Sequence, residues 1–301
     1  MKLHILGCHA ATPSLKGNPT SQVLDIRNHI FLIDCGEGTQ VQLRKQKIKF
    51  ARINHIFISH LHGDHFFGLP GLLSTFQLLG REKELHVYGP SGLKEVIISI
   101  LKLGNSRTNY PLIFHELKES FSELIFENEK VEVRTIPLNH RVYTNGFLFS
   151  EKTKERTLNI EAVAKYKVDK AFFKNIKNGK DVRLDSGEVI SNTLLTFDPP
   201  LPKSYAYCSD TAFDLSIVPL IHGADLLYHE STFLSKEAHL AAKTKHSTAL
   251  EAAKIAKEAG VKRLLLGHFS TRYKQKKSFL DEASVIFTEV DLAEDGKVLE
   301  I

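Results

Sequence analysis

The residues with the clearest chemistry form one short run, Ser-His-Leu-His-Gly-Asp-His at residues 59–65. Three imidazoles and one carboxylate fall within six residues of it. The stretch 53–58, with β-branched Ile53, Ile56 and Ile58, precedes the run and predicts a buried strand that ends where the run begins. Neutral imidazole nitrogen and carboxylate oxygen are the ligands that zinc takes in catalytic sites. We therefore predict a metal-binding loop at a strand end, with Gly63 relaxing the backbone between the donors.

The pattern His60-x-His62-x-Asp64-His65 resembles the signature of the metallo-β-lactamase superfamily. Members of that superfamily carry one or two zinc ions between two sheets. The motif identifies a superfamily and leaves the reaction open.

Four further polar residues lie at or just past the ends of expected strands, where ligands are usually found: His140, Asp210, His246 and His268. A two-zinc site needs about seven protein donors, and a bridging carboxylate must offer two oxygens, as Asp210 does. We expect one zinc ion to be held by His60, His62 and His140, the other by Asp64, His65 and His268, and Asp210 to bridge the two.

Two zinc ions suit the hydrolysis of a phosphodiester or an amide, because together they activate water and stabilise both the attacking and the leaving oxygen. We expect Asp64 to orient the attacking hydroxide and to accept its proton, as well as to bind metal. The leaving 3′-oxygen needs a separate proton donor. His246 is the candidate, with Glu230 orienting it; the alternative is a structural histidine that precedes a helix.

The elements that must position these residues alternate between strands and helices in two similar halves. This pattern predicts an α/β (α+β) fold with two sheets packed face to face and helices outside, and the resemblance implies that it is the four-layer αββα sandwich of the metallo-β-lactamase type. Within it we expect a meander of strands at 113–117, 123–126 and 131–136, and a hairpin at 290–301 that turns at Asp295-Gly296. Ser91 and Ser247 are the expected helix caps, and Pro70-Gly71 is expected to interrupt a helix over 66–79.

Composition limits the class of protein. The chain has 301 residues, 42% hydrophobic residues and no tryptophan, and no apolar run reaches the roughly 18 residues of a membrane span. Its N-terminus reads as a strand and not as a signal peptide. Three widely spaced cysteines predict neither a disulfide framework nor a thiolate zinc site. We expect a cytoplasmic protein that does not enter the membrane.

Positive charge is concentrated in one segment. Residues 152–180 hold nine Lys and Arg against three acidic residues, a surplus of +6, whereas the whole chain has +5. The segment has few alternating apolar positions. We therefore predict a single domain over 1–301 with an inserted basic arm at 150–185.

A narrower resemblance covers nearly the whole chain in matching order. Four motifs carry it: Asp-Cys-Gly-Glu-Gly-Thr-Gln at 34–40, the full loop 59–65, His-Glu-Ser-Thr at 229–232 and His-Phe-Ser-Thr-Arg-Tyr at 268–273. Together they resemble the short form of the ribonuclease Z family, the tRNA 3′-processing endonucleases.

The resemblance implies a homodimer with two zinc ions per chain that removes the 3′ trailer of precursor tRNA after the discriminator base. It also implies an arm after the His140 strand that grips the tRNA elbow, which is where the basic segment lies. The expected substrate-binding residues are Lys152, Lys154, Arg156, Lys165, Lys167, Lys170, Lys174 and Lys177 of the arm, and Arg272.

The chain departs from the family pattern at three places. The first glycine loop, usually Gly-Thr-Gly-Ala, is Gly-Cys-His-Ala-Ala at 7–11; the proline-rich loop at 13–18 has lost its arginine; and Lys170-Ala171 replaces the arm's Gly-Pro pair. These changes leave the zinc donors intact and bear on trailer discrimination and tRNA affinity.

Two other functions fit parts of the pattern. One is a hydrolase of the same fold that acts on a small phosphodiester or on an ester or thioester; such a substrate has no use for a projecting basic segment. The other is a nucleic-acid-binding protein that has lost catalysis; a complete set of donors argues against it.

Overall fold

The computed structural model describes residues 1–12, 14–15 and 17–301. The chain forms two compact units. The larger comprises Met1–Glu127, Val131–Ser150 and Lys203–Ile301, and the smaller comprises Asn128–Lys130 and Glu151–Pro202. No helix of the described residues is both long and apolar enough to cross a membrane.

The strands, in chain order, are β1 (Lys2–Gly7), β2 (Ser21–Ile26), β3 (His29–Ile33), β4 (Ile53–Phe57), β5 (Leu85–Pro90), β6 (Leu112–Leu117), β7 (Leu124–Glu127), β8 (Val131–Leu138), β9 (Thr144–Glu151), β10 (Thr157–Leu158), β11 (Val182–Arg183), β12 (Val189–Ile190), β13 (Thr196–Phe197), β14 (Ser204–Cys208), β15 (Leu226–Glu230), β16 (Leu264–Gly267), β17 (Val290–Leu292) and β18 (Val298–Glu300).

The α-helices are α1 (Thr39–Lys45), α2 (Gly63–Phe66), α3 (Leu69–Leu78), α4 (Leu93–Leu103), α5 (Ile160–Lys165), α6 (Phe173–Lys177), α7 (Asn192–Leu195), α8 (Ala238–Thr244), α9 (Ala249–Glu258) and α10 (Lys277–Ser284). Short 3₁₀ helices cover Phe50–Arg52, Lys170–Phe172, Leu215–Leu220 and Ser235–Glu237.

Two large sheets form the centre of the larger unit. Their strand orders are β18-β1-β2-β3-β4-β5-β6 and β17-β16-β15-β14-β9-β8-β7. Phe31 and Phe57 of the first sheet meet Phe149 and Phe147 of the second, with ring centroids 5.5 and 5.4 Å apart. A second apolar cluster lies between the first sheet and helices α1, α3 and α4, and α9 and α10 pack on the other sheet. The predicted αββα sandwich is therefore confirmed.

The direction of the strands decides where a site can form. Strands β3 to β6 run parallel to one another, and so do β14 to β17. Carboxyl ends of parallel strands meet at one edge of a sheet, and ligands of α/β proteins bind there. The loops that leave these ends carry the candidate site.

Two of the predicted strand pairings are wrong. β6 pairs in parallel with β5 in the first sheet, whereas β7 and β8 belong to the second, so there is no three-strand meander. β17 pairs with β16 and β18 pairs with β1, so the segment 290–301 crosses between the sheets and is not a hairpin. Gly296 still makes the turn, with φ of 90°. Local patterns cannot report which sheet provides the neighbouring strand.

Helix starts also differ from the predictions by a residue or two. Gly92, in the left-handed conformation, precedes α4 in place of a Ser91 cap. Thr248 caps α9 and completes a capping box with Glu251, where we expected Ser247. Pro70 lies in the first turn of α3 and does not interrupt it, because the first turn needs no proline N–H.

The smaller unit, Glu151–Pro202 with Asn128–Lys130, extends beyond the arm expected at 150–185. It has its own apolar cluster, which the sequence did not indicate because its members are irregularly spaced. The buried members are Val163, Val168, Ile176, Val182, Ile190 and Leu195. Residues 186–202 thus complete the packing of the arm. Ser150 and Ser204, which flank the insertion, are register partners on neighbouring strands.

Candidate metal centre

The loop after β4 carries most of the predicted donors. His60 is fully buried; α2 begins at Gly63 and turns Asp64 and His65 back toward the same space. His140 follows β8, Asp210 follows β14 and His268 follows β16. The structure thus brings together all seven predicted metal ligands from four strand ends.

One donor group contains His60, His62, His140 and Asp210, whose ligand atoms all lie within 4.8 Å of one another. His62 Nδ1 is 2.9 Å from His60 Nε2 and 3.4 Å from His140 Nε2. A second group contains Asp64, His65 and His268. In it, His65 Nε2 and His268 Nε2 are 3.4 Å apart, and each is 3.5 Å from Asp64 Oδ2.

Asp210 divides its two oxygens between these groups. Oδ1 lies 3.2 Å from His65 Nε2 and 3.1 Å from His268 Nε2. Oδ2 lies 3.6 Å from His60 Nε2 and 3.9 Å from His140 Nε2. Such a division is what a carboxylate that bridges two cations requires.

The hydrogen bonds on the far side of each imidazole show why the group fits metal ions. His65 Nδ1 faces Asp34 Oδ2 at 2.7 Å and His140 Nδ1 faces the Lys245 carbonyl at 2.8 Å. Carboxylate and carbonyl oxygens only accept, so both Nδ1 atoms carry the proton. The corresponding Nε2 atoms therefore present lone pairs to the centre.

The same argument places the proton on Nδ1 of His60 and of His268, whose Nδ1 atoms each contact a hydroxyl group. Ser59 Oγ donates to Asp34 and contacts His60 Nδ1 at 3.0 Å. Thr232 Oγ1 donates to Glu230 and contacts His268 Nδ1 at 2.9 Å. Each hydroxyl donates its hydrogen bond to a carboxylate, so the imidazole Nδ1–H must be the donor in the contact with the hydroxyl oxygen.

Unprotonated nitrogens that approach to 3.4 Å need a cation between them. Two ligands at about 2.0–2.1 Å from a zinc ion, at the tetrahedral angle, are roughly 3.3–3.4 Å apart. One pair of nitrogens in each group has this spacing: His62 and His140 in the first, and His65 and His268 in the second, each 3.4 Å apart. The residues present therefore fit a metal site with imidazole and carboxylate ligands.

Three residues at these strand ends have left-handed backbone conformations: Asp34, Asp210 and His268, with φ of 54°, 57° and 57°. This region is sparsely populated by residues other than glycine and persists only where surrounding contacts enforce it. Here it turns side chains from the ends of β3, β14 and β16 toward one point.

Asp34 is a residue whose role our sequence analysis missed. Its buried carboxylate accepts hydrogen bonds from Ser59 N at 2.7 Å, Ser59 Oγ at 2.9 Å, His65 Nδ1 at 2.7 Å and the Tyr207 hydroxyl at 2.6 Å. It thus fixes both the loop and the tautomer of His65. A carboxylate directly after a buried strand and before Gly36 was the available signal.

The charges of the site are mutually stabilising. Burial alone would raise the pKa of Asp64 and of Asp210. The positive charge that His65 and His268 carry when protonated holds both pKa values below the usual range, and a bound cation would supply such a charge when the Nε2 atoms are unprotonated. Burial lowers the pKa of His60 well below its ordinary value, which keeps its nitrogen free to bind metal.

His246 and Glu230 form a pair beside the donor groups. Glu230 Oε1 accepts from His246 Nδ1 at 2.7 Å and from Thr211 N at 2.9 Å. Burial opposes charging of His246, but the Glu230 carboxylate raises the pKa of the imidazole to about 9. The His246 ring stacks on His268 at 5.5 Å between centroids, and His246 shares a cluster with Asp210. A protonated imidazole therefore lies against the metal centre.

The predicted substrate-binding residues differ in their surroundings. Lys154, Lys165, Lys167, Lys170 and Lys174 are exposed, and Lys152 and Lys177 are half-buried. Arg156 pairs with Asp198 and bonds Thr196 Oγ1 within the smaller unit, so its guanidinium is already engaged. Arg272 is exposed and lies over the Phe233 ring, 5.9 Å from its centroid.

Comparison with known proteins places this geometry in a family. Ribonuclease Z of Bacteroides fragilis is 48% identical over 295 residues, which cover 98% of this chain and 97% of the relative. The chain belongs to the ribonuclease Z family. Among solved structures, human tRNase Z, short form, is 31% identical with a TM-score of 0.73 and covers 100% of this chain and 99% of its own.

Two further matches concern the fold. The metallo-β-lactamase fold protein YhfI from Bacillus subtilis has a TM-score of 0.69 over 99% of both chains at 19% identity. Residues 1–290 match the family model described as "Anti-Pycsar protein Apyc1". The motifs predicted both the ribonuclease Z family and the metallo-β-lactamase fold, and both predictions are confirmed.

Proposed function

We propose that this protein is a zinc-dependent endoribonuclease that removes the 3′ trailer of precursor tRNA by hydrolysis with two metal ions. The observation that carries the proposal is the division of Asp210 between two donor groups, beside the hydrogen-bonded His246–Glu230 pair. Membership in the ribonuclease Z family supplies the substrate class.

We assign one zinc ion to His60, His62 and His140, a second to Asp64, His65 and His268, and Asp210 to both. Bound divalent ions at this position would lower the pKa of water and stabilise the charge that develops on the phosphodiester. The protein holds its donors in place through Asp34, Ser59, Thr232 and the Lys245 carbonyl, as described above.

The remaining roles belong to two side chains. Asp64 uses Oδ2 for its contacts with Ala11 N, His65 and His268, so Oδ1 can orient the attacking water and accept its proton. His246 carries a proton on Nε2 when it is charged and can donate it to the 3′-oxygen as the phosphorus–oxygen bond breaks. Glu230 positions His246 and keeps it protonated.

Asp64→Asn should lower kcat by at least about 10²-fold, the usual size of general-base loss. The amide keeps the shape and one oxygen of the side chain but cannot take the proton. Turnover of bis(p-nitrophenyl) phosphate and metal content should be measured on the same sample, with the exposed Asp281→Asn as control. Full activity with metal bound would exclude Asp64 as proton acceptor.

We propose that the smaller unit grips the RNA outside the metal centre. Lys165, Lys167, Lys170 and Lys174 are exposed on it, and lysines that neutralise phosphates supply sequence-independent affinity. Its two adjacent aromatic residues, Phe172 and Phe173, differ in exposure. Phe173 packs on the apolar cluster of the unit, whereas Phe172 is 40% exposed and can stack on a base.

Replacing residues 151–202 by a short glycine linker should leave the larger unit folded, because Ser150 and Ser204 are register partners that a tight turn can join. Without the unit, roughly three to five phosphates would no longer be neutralised, and the slope of log K against log salt would flatten by roughly 0.7–0.9 per phosphate. Precursor-tRNA affinity should be measured by gel shift across salt concentrations.

Cleavage of bis(p-nitrophenyl) phosphate is the control in that experiment, since this small diester needs only the metal centre. A four-lysine variant, with Lys165, Lys167, Lys170 and Lys174 changed to Gln, should reproduce the loss of affinity without removing the unit. Unchanged affinity in both variants would defeat the RNA-grip assignment. A protein that cleaves only the small diester would favour the small-substrate hydrolase.

We also propose that the protein is a cytoplasmic homodimer. The three cysteines are buried free thiols, which suits a reducing compartment, and family resemblance supplies the dimer. Light scattering at micromolar concentration should give twice the chain mass of 33.9 kDa. A monomer would mean that each arm serves its own metal centre.

A further inference from the structure

A cavity of about 650 Å³ lies beside the loop that carries His268. His9, Lys274, Lys277 and Leu280 are among its lining residues. None of the roles assigned above uses it. Its volume is within the range of ligand-binding cavities.

Backbone hydrogen bonds tie this cavity to the metal centre. Phe269 N donates to Cys8 O at 3.1 Å, Ala10 N donates to Phe269 O at 3.0 Å and Ala11 N donates to Asp64 Oδ2 at 2.7 Å. His9 is therefore two residues from the contact with Asp64. The departure from the family pattern at 7–11 falls on this segment.

Three lysines, Lys274, Lys276 and Lys277, outnumber the two carboxylates, Glu294 and Asp295, among the residues that line the cavity. Asp295 is occupied by Asn18, whose N and Nδ2 both lie 2.7 Å from Oδ2. Lys276 contacts Cys8 Sγ at 3.7 Å and the Ala293 carbonyl at 3.3 Å. Lys274 and Lys277 are exposed, and no contact within the described part of the chain engages them.

Two other features agree with a phosphate. Lys277 opens α10, whose first turn has no acidic residue, so the helix N-terminus adds positive potential. His9 Nδ1 is buried with no hydrogen-bond partner among the described residues, and it is 3.7 Å from Asp295. Glycine at position 17 leaves room for the ring, because a Cβ there would lie 2.3 Å from that nitrogen.

We infer that this cavity binds the phosphates of the 3′ trailer, just downstream of the bond that is cut; the inference rests on the proposed function. Hydrolysis leaves the phosphate on the trailer, while the 3′-oxygen that His246 protonates belongs to the tRNA. Ala11, two residues after His9, donates to Asp64, the residue to which we assign the attacking water, and in-line attack places that water opposite the departing 3′-oxygen. Lys274 and Lys277 bind the phosphates, and His9 forms the wall next to the metal centre.

The test uses the double variant Lys274→Gln/Lys277→Gln and the full-length protein. Binding of a 5′-phosphorylated, single-stranded RNA decamer is followed by fluorescence anisotropy across salt concentrations. We expect the slope of log K against log salt to fall by roughly 1.4, about 0.7 for each phosphate of a single strand that a lysine no longer neutralises. Precursor tRNA with a ten-nucleotide trailer should show a raised KM, and a one-nucleotide trailer should not.

Lys94→Gln/Lys102→Gln on α4 removes the same charge from exposed positions and serves as the matched control. Equal losses of affinity in the two double variants, or equal effects on long and short trailers, would overturn the inference. Unchanged decamer binding in Lys274→Gln/Lys277→Gln would do so as well. If the wild type binds the decamer but cleaves no precursor tRNA, the proposed function fails and the decamer data still decide on the cavity.

Discussion

Asp210→Ala should release both metal ions together and lower kcat/KM by at least about 10³-fold. Each carboxylate oxygen faces a different donor group, at 3.1–3.2 Å for Oδ1 and 3.6–3.9 Å for Oδ2, so one substitution removes a ligand from both sites. Loss of the metal centre costs several kcal/mol of transition-state stabilisation, and each 1.36 kcal/mol is tenfold in rate. Elemental analysis per folded chain measures the effect.

His268→Ala is the matched comparison for that experiment. His268 lies in the donor group of Asp64 and His65 and not in that of His60, His62 and His140, so its removal should deplete one ion and leave the other at or near full occupancy. Circular dichroism on both variants would verify the fold. Asp210→Ala protein that retains one ion stoichiometrically would contradict the bridging assignment, and wild-type protein that never loads more than one ion would contradict the two-metal centre.

His246→Ala should lower kcat on precursor tRNA by about 10²–10⁴-fold, the range of general-acid contributions. On bis(p-nitrophenyl) phosphate the decrease should be much smaller, since p-nitrophenolate leaves without a proton. Glu230→Gln should act in the same direction, because the carboxylate that raises the pKa of His246 to about 9 would be gone. The measurement is the ratio of the two activities in each variant.

An equal decrease on both substrates would refute the proton-donor role. It would indicate instead that His246 supports the metal centre through its stacking on His268. His239→Ala controls for removal of an imidazole elsewhere, since His239 is exposed and is not part of either donor group.

The sequence by itself determined the chemistry of the donors and most of the strands. The loop 59–65 concentrates its ligands within one strand end, and the strand predicted at 53–58 is β4, Ile53–Phe57, in the structure. These features are local: buried strands have short apolar runs, and adjacent ligands need only one turn to converge. The family resemblance rests on the same contiguous motifs.

Tertiary structure decided what depends on contacts between distant residues. Asp34 orients His65 across 31 positions of sequence and Tyr207 across 173, and no periodicity reports such a contact. The sheet to which β6 and β18 belong was likewise fixed by packing, because an edge strand has the same pattern on either sheet. The structure also shows that the arm has its own apolar cluster, in which Ile190 and Leu195 pack together with Ile176. The division of Asp210 between two donor groups needed four strand ends in place, because each oxygen is positioned by imidazoles from different strands.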